Sequence, residues 1–240
     1  MSIVDKNMPS KILEALKIDG VGAVTALIDL IVLGGIPATA ILSEITKGTF
    51  SYTDKVTFRK TVEAAQVLVS DMGSGYFNSA QLTLTLTNLK EEHGDEYFDE
   101  ALFHAIQNSD SKMRARYIGN LLSSATQNTQ ICNLYYDFLA IIQTLTMKDI
   151  MLLKPASEDS KRLGPDNRSL IRPNAGVTST KDFRDYYSLP RLLRYQSVGL
   201  TKGTDDMKDA HIPLVDNQLA DLLLSAIGEL PYRNSRKPLV

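Results

Sequence analysis

The chain has 240 residues, 43 % of them hydrophobic, and a formal net charge of −2 at pH 7. That size and hydrophobic share can bury a real core in one large domain or two small ones, and the near-neutral charge excludes bulk attraction to nucleic acid or anionic lipid while leaving a local basic patch open. The one cysteine, Cys132, excludes an intrachain disulfide, and His93, His104 and His211 stand in no metal-ligand spacing with each other or with it.

Ile12, Leu13 and Leu16 recur at helical spacing over Pro9 to Lys17, and Asp19-Gly20 ends that segment. Val21 to Leu42 follows as a strongly apolar run whose length fits a membrane span. Asp29 near its centre opposes insertion by about 3 kcal/mol, against about 0.5 kcal/mol gained per aliphatic residue. Gly34, Gly35 and Pro37 interrupt the run, so the reading is two buried helices meeting at a Gly-Gly-Ile-Pro turn, with membrane association as the rival. A secretory signal is not expected, because the run starts late and follows a mixed-charge segment.

Asp54 is the expected cap of a helix with Val56, Phe58, Val62, Ala65 and Leu68 on its core side, broken at Met72-Gly73-Ser74-Gly75. Leu82, Leu84 and Leu86 alternate with threonines as in a strand, but Leu82, Leu86 and Leu89 also satisfy i, i+4, i+7; helix is the preferred reading. Glu91, Glu92, Asp95, Glu96, Asp99 and Glu100 surround Gly94 and read as a solvated acidic face, open to a basic partner. Asn108-Ser109-Asp110-Ser111 is a cap cluster for a helix with the one-sided stripe Met113, Tyr117, Ile118, Leu121, Leu122 and Ala125. The next helix spans about Ile131 to Leu145, and a short continuation capped by Thr146 ends at Pro155.

Residues 155–182 read as a basic loop or linker containing Lys161, Arg162, Arg168 and Arg172. Beyond it, Ser188 can cap a helix carrying Leu189, Leu192 and Leu193, with Gly199 as its C-cap. A polar turn, the extended Ile212 to Val215 and a last helix from Asp216 to Gly228 complete a helix, wing, helix order over 183–230. Residues 231–240 read as a polar, basic, frayed tail. The expected fold is therefore all-α: a helical bundle over 1–154 with a small winged-helix-like C-terminal module.

None of the chemistry-bearing residues assembles a recognisable catalytic, metal or cofactor site. Gly20, Gly22 and Gly34-Gly35 match no phosphate-loop motif. Cys132 begins an apolar helix, where a helix N-terminus lowers a thiol pKa, yet a buried inert cysteine is the preferred reading. His104, among Leu102, Phe103, Ala105 and Ile106, reads as helix-face packing. Lys112, Arg114 and Arg116 read as a solvated helix opening, with ion pairing to Asp110 or Glu63 as the alternative. On the C-terminal module the candidate reading helix is expected to expose Arg191, Arg194, Tyr195 and Gln196, residue types that meet phosphates and bases. From Phe183 onward, however, eight Lys/Arg face seven Asp/Glu, a weak balance for nucleic-acid binding.

Three stretches have a familiar look: Gly34-Gly35-Ile36-Pro37 with Phe58-Arg59-Lys60; Ser109 to Lys112 running into Arg116 to Leu122; and LPRLLRYQSVGL at 189–200 with IPLVDNQLADLLLSAIG at 212–228. Together they resemble a group of poorly characterised bacterial helical proteins, some linked to abortive infection or phage resistance. The resemblance implies no substrate and no active-site residues. With the absent catalytic constellation, it leads to the expectation of a non-enzymatic bacterial or phage-encoded interaction protein, without a cofactor, whose partner is another protein or a second copy, in the cytoplasm or associated with a membrane. A nucleic-acid-binding regulator and a membrane-active effector using residues 21–42 are the alternatives.

Overall fold

Helix formation in this chain starts from local caps and apolar stripes. The computed structural model describes residues 8–18, 20–163, 194–202, 214–215 and 217–229. These are predominantly helical: α1 (Met8–Lys17), α2 (Gly20–Val32), α3 (Ala38–Lys47), α4 (Tyr52–Gly73), α5 (Ser79–His93), α6 (Asp95–Gln107), α7 (Lys112–Ala125), α8 (Thr129–Asn133), α9 (Tyr135–Thr144) and α10 (Met147–Leu163). Then follow a short helical stretch at 194–197, strands β1 (Thr201–Lys202) and β2 (Leu214–Val215), and α11 (Asn217–Ala226). The chain divides into two units. Leu139 closes the main run of the first, to which Ala226–Gly228 also belong; the second runs from Ala140 to Ser225 and takes Glu229.

In the first unit the apolar run forms two helices. Ala23, Val24, Leu27, Ile28, Ile31 and Val32 of α2 are buried, as are Ile41 and Ile45 of α3. Between them Gly35 takes φ +64, a left-handed conformation that costs glycine little, and the Ile36 N–H returns to the Leu30 carbonyl at 3.0 Å. No helix among the described residues is long and apolar enough to cross a membrane.

Helix α4 packs on α7, α2 and α3, and α2 also packs on α6 and α1. The cap of α4 is Ser51, whose Oγ accepts from the Asp54 N–H at 3.1 Å; Asp54, expected in that role, instead accepts from Ser51 Oγ at 2.6 Å. Helix wins over strand at α5. Asn78 and Gln81 form a reciprocal capping box, and Leu82, Leu86 and Leu89 are buried on one face. Thr83, Thr85 and Thr87 each donate a hydroxyl to the carbonyl four residues back at 3.0 Å, so the intervening threonines are accommodated within the helix. At the end of α6 the Lys60 ammonium donates to the carbonyls of Gln107, at 2.9 Å, and Ser109. Burial holds its pKa below the ordinary lysine value.

The single helix expected over 131–145 is two. Leu134 leaves helical geometry at φ −103, ψ 13 and separates α8 from α9, while Asn128 caps α8 by accepting from the Gln130 N–H at 2.8 Å. In the second unit, Thr146 and Asp149 form a reciprocal cap on α10: Thr146 Oγ accepts from the Asp149 N–H at 3.2 Å, and the Asp149 carboxylate accepts from the Thr146 N–H at 2.9 Å. Pro155 does not end this helix, which continues to Leu163. The carbonyl deprived of its donor is that of Met151, a residue 65 % exposed, where water can serve instead. Lys161 and Arg162 therefore lie in the last turn of α10 and not in a loop.

Gly199 ends the 194–197 stretch at φ +72, as its sequence position suggests. Thr201 pairs with Val215 and Lys202 with Leu214 in an antiparallel ladder, and β2 lies against α10. The expected wing tip and the caps Ser188 and Asp216 lie outside the described residues.

The contact between α4 and α7 is the tightest helix pair. A Cβ on Gly119 would overlap the Ala64 carbonyl oxygen and come within 3.1 Å of that residue's carbonyl carbon and Cα. Gly119→Ala in an exposed helix would gain about 1 kcal/mol. Here it is expected to lose about 1–3 kcal/mol because α4 and α7 must separate, and urea unfolding with an unchanged slope checks the sign.

Candidate interaction surface

Two of the residues proposed from sequence for the C-terminal module, Arg194 and Tyr195, are engaged within the second unit. Asp149 is fully buried, and Arg194 grips it in bidentate fashion, Nε to Oδ2 at 2.7 Å and Nη2 to Oδ1 at 2.8 Å. The charge-assisted pair holds the guanidinium pKa above its ordinary value. Tyr195, read as exposed, is buried, and its hydroxyl donates to the Asp149 carbonyl at 2.6 Å. The correction has a plain cause: a buried carboxylate needs donors, and Arg194 supplies two, while Tyr195 beside it satisfies the Asp149 backbone carbonyl. Gln196 is half-buried; Arg168, Arg172 and Arg191 lie outside the described residues.

Other candidates settle as packing or surface pairs. Lys112 pairs with Glu63 at 3.0 Å, Arg116 reaches the same carboxylate at 3.7 Å, and Arg114 pairs with Asp110 at 3.3 Å. His104 is exposed, its ring tilted edge-on to Phe103 at 5.3 Å. The Cys132 thiol has a raised pKa, from burial first and from Glu92 second, so it stays protonated instead of being activated by the short α8.

A different region of the first unit gathers polar, charged and aromatic groups. Helix α5 ends in Lys90-Glu91-Glu92-His93, Gly94 turns the chain at φ +94, and α6 opens with Asp95-Glu96. Acidic residues suit this position, since carboxylates complement the positive end of a helix dipole. Six carboxylates fall within residues 91–100, and Lys90 is the one Lys or Arg of α5 and α6. The ring of Tyr97 lies 5.1 Å from His93 and 5.3 Å from Tyr136, and His93 lies 4.8 Å from Tyr136. Tyr97 is half exposed, and the side chains of Glu92 and His93 are 45 % and 46 % exposed.

Beneath the surface the same groups are held firmly. The Tyr136 hydroxyl donates to the Leu89 carbonyl at 2.6 Å, and Tyr135, fully buried, stacks on Phe98 at 6.3 Å. The Lys90 ammonium stands 5.7 Å from the Phe98 centroid and 3.8 Å from Asp99, which also accepts from Thr25 Oγ at 2.9 Å. Burial, then the Glu92 charge, pushes the Tyr136 phenol up to about 12, and burial raises that of Tyr135 as well. These phenols remain neutral at physiological pH; Tyr136 acts as a hydrogen-bond donor, while the buried Tyr135 hydroxyl has no hydrogen-bond partner among the described residues. Part-exposed rings and exposed carboxylates thus occur together at this turn, and each kind of group attracts cations, through the ring quadrupole and through negative charge. Sequence reasoning read the acidic run as a solvated face and missed the rings, because Tyr136 arrives from α9, distant in sequence.

Compared with known protein families, curated proteins and solved structures, the chain matches none.

Two variants probe the charges. Arg194→Leu leaves the fully buried Asp149 carboxylate without its charge partner and is expected to cost about 3–5 kcal/mol. Adding Asp149→Asn recovers part of that loss, as a double-mutant cycle in urea would show. Asp29, on α2, has its carboxyl raised above the ordinary range by burial, with Lys90 opposing and Asp99 adding to the shift. The native state then holds this proton more tightly than the unfolded chain, so this contribution falls as pH rises from about 4 through the raised value. The melting temperature of Asp29→Asn relative to wild type is expected to be higher at pH 7 than at about pH 4; a constant difference would refute the assignment.

Proposed function

We propose that this is a non-enzymatic interaction protein that docks a positively charged protein segment on the surface formed by the end of α5, the start of α6 and Tyr136. The supporting observation is the coincidence of six carboxylates within residues 91–100 with the exposed rings of His93 and Tyr97. The thiol and phenols of the region have raised pKa values, a state suited to contact and unsuited to nucleophilic attack. The resemblance of the sequence to abortive-infection proteins supplies the setting attached to this reading, defence of a bacterial cell against phage.

The alternatives draw less support. A nucleic-acid reader built on Arg191, Arg194, Tyr195 and Gln196 would need side chains of which Tyr195 is buried and Arg194 is paired with Asp149. A membrane effector would need the apolar surface of 21–42, most of which faces the interior of the first unit. The negative surface at α5–α6 repels phosphate in either form.

Expression in a phage-challenged bacterial host is expected to lower plaque counts, and the Glu92→Lys/Glu96→Lys variant to lose that protection while keeping its circular dichroism spectrum. Full protection by the variant would show that the surface is not the docking site. Turnover of a nucleotide, nucleic acid or peptide by the purified protein would overturn the non-enzymatic reading.

A further inference from the structure

We infer that residues 82–87, helical in the folded chain, are a strand-forming element held in reserve, and that the partner they fit is the same segment of a second copy. The starting point is a residue the helix does not use. A helix turns each residue by about 100°, so alternate positions fall on opposite sides, whereas a strand puts them on one face. In α5 Leu82 and Leu86 are buried, and Leu84 between them stands 61 % exposed. Extended, Leu82, Leu84 and Leu86 would share one face and Thr83, Thr85 and Thr87 the other. Only the extended form gives all three leucines a common surface to pack against. The threonines agree with it. Branched at Cβ, they are weak helix formers and suit a strand, where facing hydroxyls bond across the ladder.

The fold keeps this segment helical from a few points. The Asn78–Gln81 capping box fixes its start, the Tyr136 hydroxyl holds the Leu89 carbonyl at 2.6 Å, and α6 is its principal helix neighbour. Thr83, Leu84, Thr87 and Asn88 face solvent, whereas α7 is buried along most of its length. Few buried contacts and exposed backbone hydrogen bonds mean that α5 opens before the centre of the unit does. Once it is open, nothing in the segment opposes pairing. From Met72 to Leu89 the chain carries no charged side chain, and Leu82 to Thr87 includes neither glycine nor proline. Charges and prolines are what keep exposed strands from stacking. Six uncharged residues of strong β character are enough to build a dry interface between paired sheets. A second copy brings a leucine face and a threonine face together, so both sides of the strand are matched at once.

The test holds the full chain just below its melting temperature with agitation and follows thioflavin T fluorescence. Fibres with the reflection at about 4.7 Å of stacked strands are expected, and proteolysis should leave a resistant core containing residues 82–87. Leu84→Lys alters a side chain that already stands in water and should keep the melting temperature. It puts a charge on the leucine face of the strand, so fibre growth should slow by about tenfold or stop. Met151→Lys, the same kind of change at an exposed residue of the second unit, should leave growth as it is. Asn78→Ala removes the cap, raises the population of opened α5 about fivefold and should shorten the lag. In the native chain the amides of α5 should exchange with deuterium faster than those of α7. The assignment is overturned if the wild type forms no fibres, if their core excludes 82–87, or if Leu84→Lys grows at the wild-type rate. Equal slowing by Met151→Lys, an unchanged lag in Asn78→Ala, or equal protection of α5 and α7 overturns it as well.

Discussion

The close approach of α4 and α7 at Gly119 is the constraint on which the first unit depends. Nearly every residue of α7 from Arg114 to Ala125 is buried, with Arg116 exposed, so beyond its first turns this helix has little solvent-facing surface on which to place a misfit. Its polar residues are handled individually. Ser123 donates to Asp71 at 2.5 Å, Ser124 to the Ala226 carbonyl at 3.0 Å and Asn120 to the Ile227 carbonyl at 2.7 Å. Each satisfies a group whose burial alone would cost about 1–3 kcal/mol. With α7 fixed against α4, α2 packs on α4 and α6, and α5 on α6. The acid–aromatic surface is carried at the far end of that series, where burial no longer restricts residue type.

What could be read from the sequence was whatever is encoded locally. Apolar spacing located α1, α4 and α7, and Gly34-Gly35-Ile36-Pro37 marked the turn between α2 and α3. Thr146 and Gly199 stood out because a cap acts on neighbours within a few residues. Asp29 argued correctly against a continuous span. Its charge is set in part by Lys90 and Asp99, which no local pattern reveals.

The misreadings share a cause in tertiary pairing. Tyr195 has the same neighbours in sequence whether it faces solvent or Asp149, and the backbone carbonyl that claims it lies 46 residues away. Pro155 is a strong local stop signal, yet an exposed carbonyl upstream lets the helix continue. The acidic run was visible, but its meaning changed once Tyr136 was delivered from α9 to stand beside His93 and Tyr97. Charge is legible along a chain; the company it keeps is not.

The interruption at Leu134 bears on how this region can vary over time. Tyr135 and Tyr136 are adjacent, yet one is sealed in the interior and the other reaches the rim, and α9 begins immediately after the break. Loss or gain of one residue there would rotate the following helix by about 100°, displacing both rings from their places. The junction can therefore accept exchanges of side chain far more readily than changes in chain length, and lineages that keep this surface should keep the spacing from Asn128 to Tyr136 fixed.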